Sequence, residues 1–347
     1  MKLAFIINDI NTEKDNYTTI RLARRAIALG HDICLVGLGD FIYEPDESIS
    51  AIATMPTKNK YSDDADLLAN LQSNACAQHC CLSQYDVVLL RSDPADELLT
   101  RSWAPASGLL FAQLLAKHGV IVLNDPTHLT DASNKTYFQT YPEMVRPKTL
   151  IAHNSDAIKK AVADFGGIAA IKPLQGSGGH GVFVINEQST PNLNQIIEAT
   201  LRDGYAIVQE YLPLAAKGDL RLLTLNGRPL MVDGVYACFR RYNDSGDARS
   251  NISAGGKYEM AEPDENALKL AEAVGPKLVN DGMYLAGLDI VGDKMMEINV
   301  DTPGGINMAE DLTGKDFSGA IIADLERKVR LKFYYGGRLS VTDLAAV

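Results

Sequence analysis

The sequence has no apolar run long enough to cross a bilayer, and its opening stretch, MKLAFIINDI, meets Asp9 before an apolar segment of signal-peptide length can form. A membrane-spanning or secreted chain is therefore not expected, and a cytoplasmic protein is. Basic residues are also scarce: 33 Lys and Arg against 44 Asp and Glu leave a formal charge of −11. That excludes the broad positive surface required by nucleic acids or anionic membranes, so any phosphate site must be local. Cysteines number five. Cys76, Cys80 and Cys81 cluster around His79, but their spacing matches no zinc pattern and predicts reduced thiols on a helix. Cys34 and Cys238 sit in apolar strand runs and read as core. The first strand-helix turn lacks the G-x-G-x-x-G fingerprint, which removes support for a dinucleotide site there. Internal repeats and low-complexity tracts are missing too.

What is present is enough apolar residue, 46% of 347, to fill large cores in two or three domains. Residues 2–7, 16–29 and 32–36 read as strand, amphipathic helix and strand. Residues 44–65 are polar and turn-rich. The strand at 86–91 ends in Arg91, Ser92, Asp93 and Pro94, and strand carboxyl ends in open α/β sheets face ligand, which makes Arg91 and Asp93 candidate substrate contacts. A helix over 98–118, a strand over 120–123 and a turn at 124–126 close the first domain. Thr130 or Asp131 is the expected cap of a following helix that carries Ser133, Asn134 and Lys135.

Strands at 147–152 and 168–172 flank a helix at 155–165. Next comes a loop with Gly176, Ser177, Gly178, Gly179, His180 and Gly181. So many glycines let backbone N–H groups approach an anion closely. The loop is not a Walker motif, since no Lys-Ser/Thr pair lies in it and a strand follows. A flexible lid over phosphates fits, with Lys172 supplying a point charge from the neighbouring strand. The strand at 206–211 leads into Gln209, Glu210, Tyr211 and Leu212, a strand end able to pair an adenine edge. Residues 219–225 and 229–239 form a hairpin about Asn226-Gly227, with Arg221 inside it and Arg240-Arg241 at its close. The polar loop over 242–257 carries Arg249 and Asn251 and suits a second lid that grips carboxylate or phosphate. Helices are expected over 263–280 and 316–332.

Residues 284–305, YLAGLDIVGDKMMEINVDTPGG, read as a hairpin in which Leu288, Ile290, Met296 and Ile298 form one face. With Ile290 opposite Met296 and residues 292–294 in the turn, Asp289 faces Glu297 and Asn299 lies two residues on. Like charges directly opposite in a sheet repel. Hard oxygen donors at this density suit Mg²⁺ held against phosphate, and the alternative is a solvated strand face with scattered acids.

The ordered set RSDP (91–94), LNDP (123–126), SNK (133–135), IKPLQGSGGHGVF (171–183), VQEYLP (208–213), KGDLRLL (217–223), ARSNISAGG (248–256) and GLDIVGDKMMEINV (287–300) resembles the ATP-grasp superfamily, and within it the bacterial-type glutathione synthetases, over nearly the whole chain. The resemblance implies an α/β ATP-grasp fold behind a Rossmann-like domain, divided as 1–126, 127–205 and 206–347. It implies ATP as cofactor, with Lys135 and Lys172 on its phosphates, the 175–181 loop closing over them, and Gln209, Glu210, Tyr211 and Leu212 around adenine. Arg221, Arg241, Arg249 and Asn251 would bind transferring phosphate or substrate carboxylates. Asp289, Glu297 and Asn299 would hold two Mg²⁺, with Mn²⁺ as an alternative. The implied substrates are γ-glutamylcysteine and glycine, with Thr302, Pro303, Gly304 and Gly305 at the acceptor, and the implied state is a homo-oligomer. One segment departs from the pattern: Asp301, Thr302, Pro303, Gly304 and Gly305 stand where the family carries a Ser-Pro-Thr-like run. That departure keeps a D-Ala–D-Ala-like or other peptide ligase as an alternative, with a non-catalytic ATP-binding module behind it.

Overall fold

The computed structural model describes residues 1–73, 77–97, 100–132, 134–175, 181–186, 189–202, 204–243 and 256–347. The sequence expectations for Cys76, Ser133, Gly176, Ser177, Gly178, Gly179, His180, Arg249 and Asn251 lie outside the described residues.

Three sheets carry the architecture. In the first, the strand Lys2–Ile7 lies between Asp32–Gly37 and Val87–Leu90, with Ile121–Leu123 beyond, all parallel. These strands are apolar nearly throughout because both faces are covered. Leu3, Phe5 and Ile7 pack under the helix Thr18–Ala28, while Ala4 and Ile6 pack with Ala112 and Leu115 of the helix Ala104–Lys117. Antiparallel strands Ile49–Thr54, Phe41–Tyr43 and Ala77–Cys81 extend one edge.

The second sheet is antiparallel, in the order Phe183–Ile185, Ala169–Pro173, Ala206–Glu210, Thr149–Ala152. Helices Ser155–Asp164 and Leu193–Leu201 cover it through Ile158, Val162 and Ile197. The third runs Lys257–Met260, Cys238–Tyr242, Asp219–Leu225, Leu285–Val291, Lys294–Asn299, again antiparallel. Leu222, Leu288 and Ile290 pack with Leu270 and Val274 of the helix Glu265–Asn280, whereas Leu223 and Phe239 pack with Ile321 and Leu325 of the helix Phe317–Tyr334.

The first and third sheets share both of these cores. Asn124, buried at the end of the first sheet, joins them: its Nδ2 donates to the carbonyls of Leu285 at 2.9 Å and Val300 at 2.6 Å, and its Oδ1 accepts from the Leu285 N–H at 2.9 Å. A buried amide with three partners fixes the approach of the two units more sharply than apolar packing does.

Several local expectations are corrected. Residues 77–81 form a strand, not a helix, because His79 and Cys81 pair with Ile52 and Ser50 across a sheet edge and tertiary pairing overrides local pattern. Asp125, not Thr130 or Asp131, caps the helix Pro126–Asp131: its carboxylate accepts the His128 N–H at 3.2 Å, and Pro126 opens the first turn. Ile290 pairs with Met295, not Met296, through a bulge between Asp289 and Ile290, which leaves Val291 opposite Lys294 and a two-residue Gly292-Asp293 turn. The bulge sends Met295 into the core in place of Met296, yet preserves Asp289 opposite Glu297. Helices Asp64–Leu71, Leu193–Leu201, Ile306–Thr313 and Val341–Ala346 add to those expected.

Candidate active site

The site is built on one face of the third sheet. Asp219 and Arg221 are two residues apart on one strand and so share a face. Arg241 lies opposite Asp219, Asp289 opposite Arg221, and Glu297 opposite Asp289. Acid and base therefore alternate across adjacent strands. Arg221 grips Asp289 with a fork, Nε to Oδ1 at 2.6 Å and Nη2 to Oδ2 at 3.1 Å. Arg241 reaches the same Oδ2 at 2.9 Å and also holds Asp219. Asn299 Nδ2 donates to Asp289 Oδ2 at 3.1 Å. Gly287 makes room for the fork, since a Cβ there would lie 2.8 Å from Arg221 Nη1.

Burial alone would raise the carboxyl of Asp289, but Arg221 and Arg241 outweigh it and hold the group below the ordinary aspartate range. Burial alone would lower Arg241, and Asp289 with Asp219 overcomes this and holds it raised. Glu297 contrasts with this arrangement. It is half-buried, and no ion pair among the described residues holds it.

Lys172 extends from the second sheet toward this face. Its Nζ donates to Gln209 Oε1 at 3.1 Å, and Gln209 Nε2 donates to Thr149 at 3.3 Å. Burial lowers Lys172 to about 8, Glu297 pulls it up and Lys135 pushes it down, which sets these three charges at one location. Lys135 is anchored by its backbone N–H on the Leu174 carbonyl at 3.2 Å. The carboxylate of Glu210 accepts the Lys148 N–H at 2.7 Å. Tyr211 and Leu212 are half-buried beside it. A cavity of about 150 Å³ opens where Lys135, Glu297, Asn299, Asp301 and Thr302 meet Asp93. A larger hollow of about 580 Å³ along residues 327–334 is lined by Val329, Leu331, Phe333 and Tyr334 with Arg327 and Arg330 and holds no carboxylate, carboxamide or lysine, so the chemistry belongs to the smaller one.

Arg91 is buried beside this cavity, donating through Nη2 to the Pro303 carbonyl at 3.0 Å and through Nε to Thr19 at 3.3 Å. Burial lowers it to about 10, against the pull of Glu13. Arg221 Nη1 donates to the Gly304 carbonyl at 3.2 Å. The N–H groups of Gly305 and Ile306 donate to Thr18 Oγ1 at 3.0 and 3.2 Å. Gly305 has φ +116°, and a Cβ there would meet the Phe239 ring at 2.6 Å, so the turn requires glycine. The sequence-predicted Arg91, Asp93, Lys135, Lys172, Arg221, Arg241, Asp289, Glu297, Asn299 and residues 302–305 thus gather about one cavity and its rim. Gln209 joins them through Lys172.

Sequence reasoning missed Asp219, Glu13, Thr18 and Asn124. Asp219 was findable from its spacing to Arg221; the other three act across long sequence separations. Glu13 is buried with its Oε2 unpartnered, and burial, opposed by Arg91, raises it to about 7. Such a group binds its proton more tightly when folded, so its contribution is full below the unfolded value near 4.5 and is lost as pH rises to about 7. The chain is expected to lose up to about 1.4 kcal/mol of stability per pH unit from this one residue in that window. Glu13→Gln should match the parent at pH 4.5 and flatten the decline between pH 5 and 7. Urea midpoints across that range test it, and parallel curves would refute it.

The residues fit a divalent cation. Glu297 and the Asn299 carboxamide present oxygen chemistry beside Asp289, whose Oδ2 is shared by Arg221, Arg241 and Asn299 while its Oδ1 accepts from Arg221 and keeps a lone pair. Among the described residues no three His, Cys, Asp or Glu side chains form a closed metal cluster. A Mg²⁺ bound through few protein oxygens and completed by phosphate suits that arrangement.

Matches to known families span most of the chain. Residues 134–314 match the prokaryotic glutathione synthetase ATP-grasp domain, and residues 1–130 match the N-terminal domain of the same enzymes. The chain belongs to the prokaryotic glutathione synthetase family. It is an ATP-dependent ligase. A glutathione synthetase of Vibrio vulnificus is 33% identical over 72% of this chain and 75% of its own length. That of Vibrio parahaemolyticus is 29% identical over 93% and 96%. A solved D-cycloserine synthetase, 13% identical, superposes with a TM-score of 0.63 over 94% of this chain and 99% of its own, which establishes the ATP-grasp fold. An ATP-grasp ligase solved with a minimal precursor, Mg and ADP gives a TM-score of 0.57 at 15% identity over 94% and 98%. No described helix is long and apolar enough to cross a membrane.

Proposed function

We propose that the chain joins γ-glutamylcysteine to glycine in the cytoplasm, by way of an acyl phosphate. The observation that carries this reading is Asp289, held by Arg221 and Arg241 directly opposite Glu297, which no ion pair among the described residues holds, in a family member. Carboxylates are poor electrophiles, and transfer of the γ-phosphoryl of ATP to the cysteinyl carboxylate installs a leaving group. Lys135 and Lys172 would neutralise ATP phosphates. Arg221 and Arg241 fix the platform and present guanidinium charge to the transferring phosphoryl, a task to which Arg249 and Asn251 are assigned as well. Mg²⁺, two ions in this proposal with Mn²⁺ as a substitute, would be held by Asp289, Glu297 and Asn299 and would offset charge between ATP and carboxylate. The glycine amine then attacks the acyl carbon, the C–N bond forms, and phosphate departs. The glycine-rich residues 176–179 are proposed to keep water from the acyl phosphate, and Gln209, Glu210, Tyr211 and Leu212 to line the adenine pocket.

We assign residues 1–126, 127–205 and 206–347 to three units: the first and third ranges hold the first and third sheets, and the second sheet draws its strand Ala206–Glu210 from across the last boundary. Arg91, Asp93 and residues 302–305 are the proposed substrate wall. An ADP-release assay over a panel of acids and amines tests the function. The expected result is turnover that depends jointly on γ-glutamylcysteine, glycine and Mg²⁺. Turnover only with another acid and amine would overturn it.

A further inference from the structure

The backbone that carries Lys135 is tied to two sheets at once. Toward the second sheet, the Lys135 N–H donates to the carbonyl of Leu174, which follows the strand Ala169–Pro173, and the Tyr137 N–H donates to the Asn134 carbonyl, both at 3.2 Å. Toward the third sheet, the Tyr137 hydroxyl donates to Asp281 Oδ2 at 2.7 Å, an oxygen that Lys277 Nζ also reaches at 2.7 Å. Asp281 stands between the helix Glu265–Asn280 and the strand Leu285–Val291, on which Asp289 lies. The Tyr141 hydroxyl donates to that of Tyr137 at 3.0 Å, and Lys277 Nζ lies 5.1 and 5.5 Å from the two ring centroids. Tyr137, Tyr141 and Asp281 are all buried. Burial raises the Tyr137 hydroxyl above the ordinary tyrosine range, so it stays a donor. A buried network with its members paired fixes position more sharply than apolar contact alone.

We propose that Tyr137 is a positioning residue for ATP, its hydroxyl anchoring the Lys135 segment to Asp281 and so setting where the Lys135 ammonium meets phosphate relative to Glu297. The inference rests on the ligase reading above, in which Lys135 neutralises ATP phosphate, and deepens it. Tyr137 lines the 150 Å³ cavity together with Lys135, Glu297 and Asn299, so a shift of its turn is felt inside the site. Its ring packs without the hydroxyl, edge-on to Tyr141 with centroids 5.3 Å apart. Removing the hydroxyl also leaves Asp281 paired with Lys277, and no buried charge is stranded. What is lost is the tie between the third sheet and the lysine. The residues assigned to adenine, Gln209 to Leu212, lie on another part of the chain, so the loss should fall on the phosphates and spare the base.

Calorimetric titration of the full chain with ATP and Mg²⁺, and separately with adenosine, tests this in Tyr137→Phe. The Kd for ATP should rise roughly 5- to 10-fold, the scale of one misplaced hydrogen-bonding group, and that for adenosine should stay within about twofold. A general structural defect would weaken both. Because Tyr137 acts through Lys135, the double variant with Lys135→Ala should bind ATP no more weakly than Lys135→Ala alone, a non-additivity that distant, independent sites do not show. An ATP Kd within about twofold of the parent, equal losses for ATP and adenosine, or effects of the two substitutions that add, would each overturn the inference and leave the ligase reading intact. If Tyr137→Phe fails to fold, Asp281→Asn carries the same three comparisons from the other end of the hydrogen bond. ATP binding is measured without donor or acceptor, so a parent that binds ATP yet releases no ADP with γ-glutamylcysteine and glycine overturns the substrate reading alone. A parent that does not bind ATP overturns both.

Discussion

Asp289→Ala is expected to lower stability by about 3–5 kcal/mol and to abolish ADP release, because the substitution strips a buried counter-ion from two guanidiniums at once. Arg221 is buried with its Nε and Nη2 committed to Asp289, and Arg241 retains only Asp219 after the change. Burial already lowers Arg221, with Arg241 adding to the effect and Asp289 opposing it. Without the aspartate, two like charges face each other in a dry setting, where their interaction is least screened. Denaturant unfolding with an unchanged slope and a lowered midpoint is the predicted signature. A midpoint equivalent to within about 1 kcal/mol of the parent would show that the two arginines find other partners, and the proposed role of Asp289 as their common anchor would fail.

Glu297→Ala should separate function from folding. Glu297 faces the same aspartate but carries no ion pair among the described residues, so its removal breaks no hydrogen-bonded pair and costs only its pull on Lys172, an amine that burial already lowers to about 8. Its midpoint should stay within about 0.5 kcal/mol of the parent, as for a change away from packed cores and paired charges. Turnover should fall by at least about 10²–10³, the scale seen when one preorganised group is taken from developing charge. Normal kcat would remove Glu297 from the mechanism. The comparison with Asp289→Ala is informative because the two residues are cross-strand neighbours: one is expected to move both readouts, the other only one.

Much of this arrangement is readable in the sequence because it is built from short-range regularities. The Asp289–Glu297 pairing follows from strand alternation and a tight turn. It survives the bulge at Ile290, which shifts Met295 and Met296 without disturbing the acids. The parallel strands of the first sheet follow from apolar runs such as residues 2–7. What sequence cannot display is a partner far along the chain. The strand Ala77–Cys81 looks helical until Ile49–Thr54 lies beside it. The pairing of Arg241 with Asp219 depends on a register set by two further turns, and the burial of Glu13 near Arg91 on a loop packing across the sheet.

The turn over residues 300–307 has a consequence for the order in which the molecule can be completed during synthesis. Asn124, Arg91 and Thr18 meet partners at Val300, Pro303, Gly305 and Ile306, and the Asn16 carbonyl accepts from Asn307 Nδ2 at 2.8 Å. Until residues 303–307 have left the ribosome, Thr18, Arg91 and the Asn16 carbonyl have none of these partners to bond. Contacts of such long sequence separation close late. The proposed substrate wall is therefore among the last parts of the enzyme to exist, and a newborn chain holds its earliest polar residues in wait for nearly its entire length.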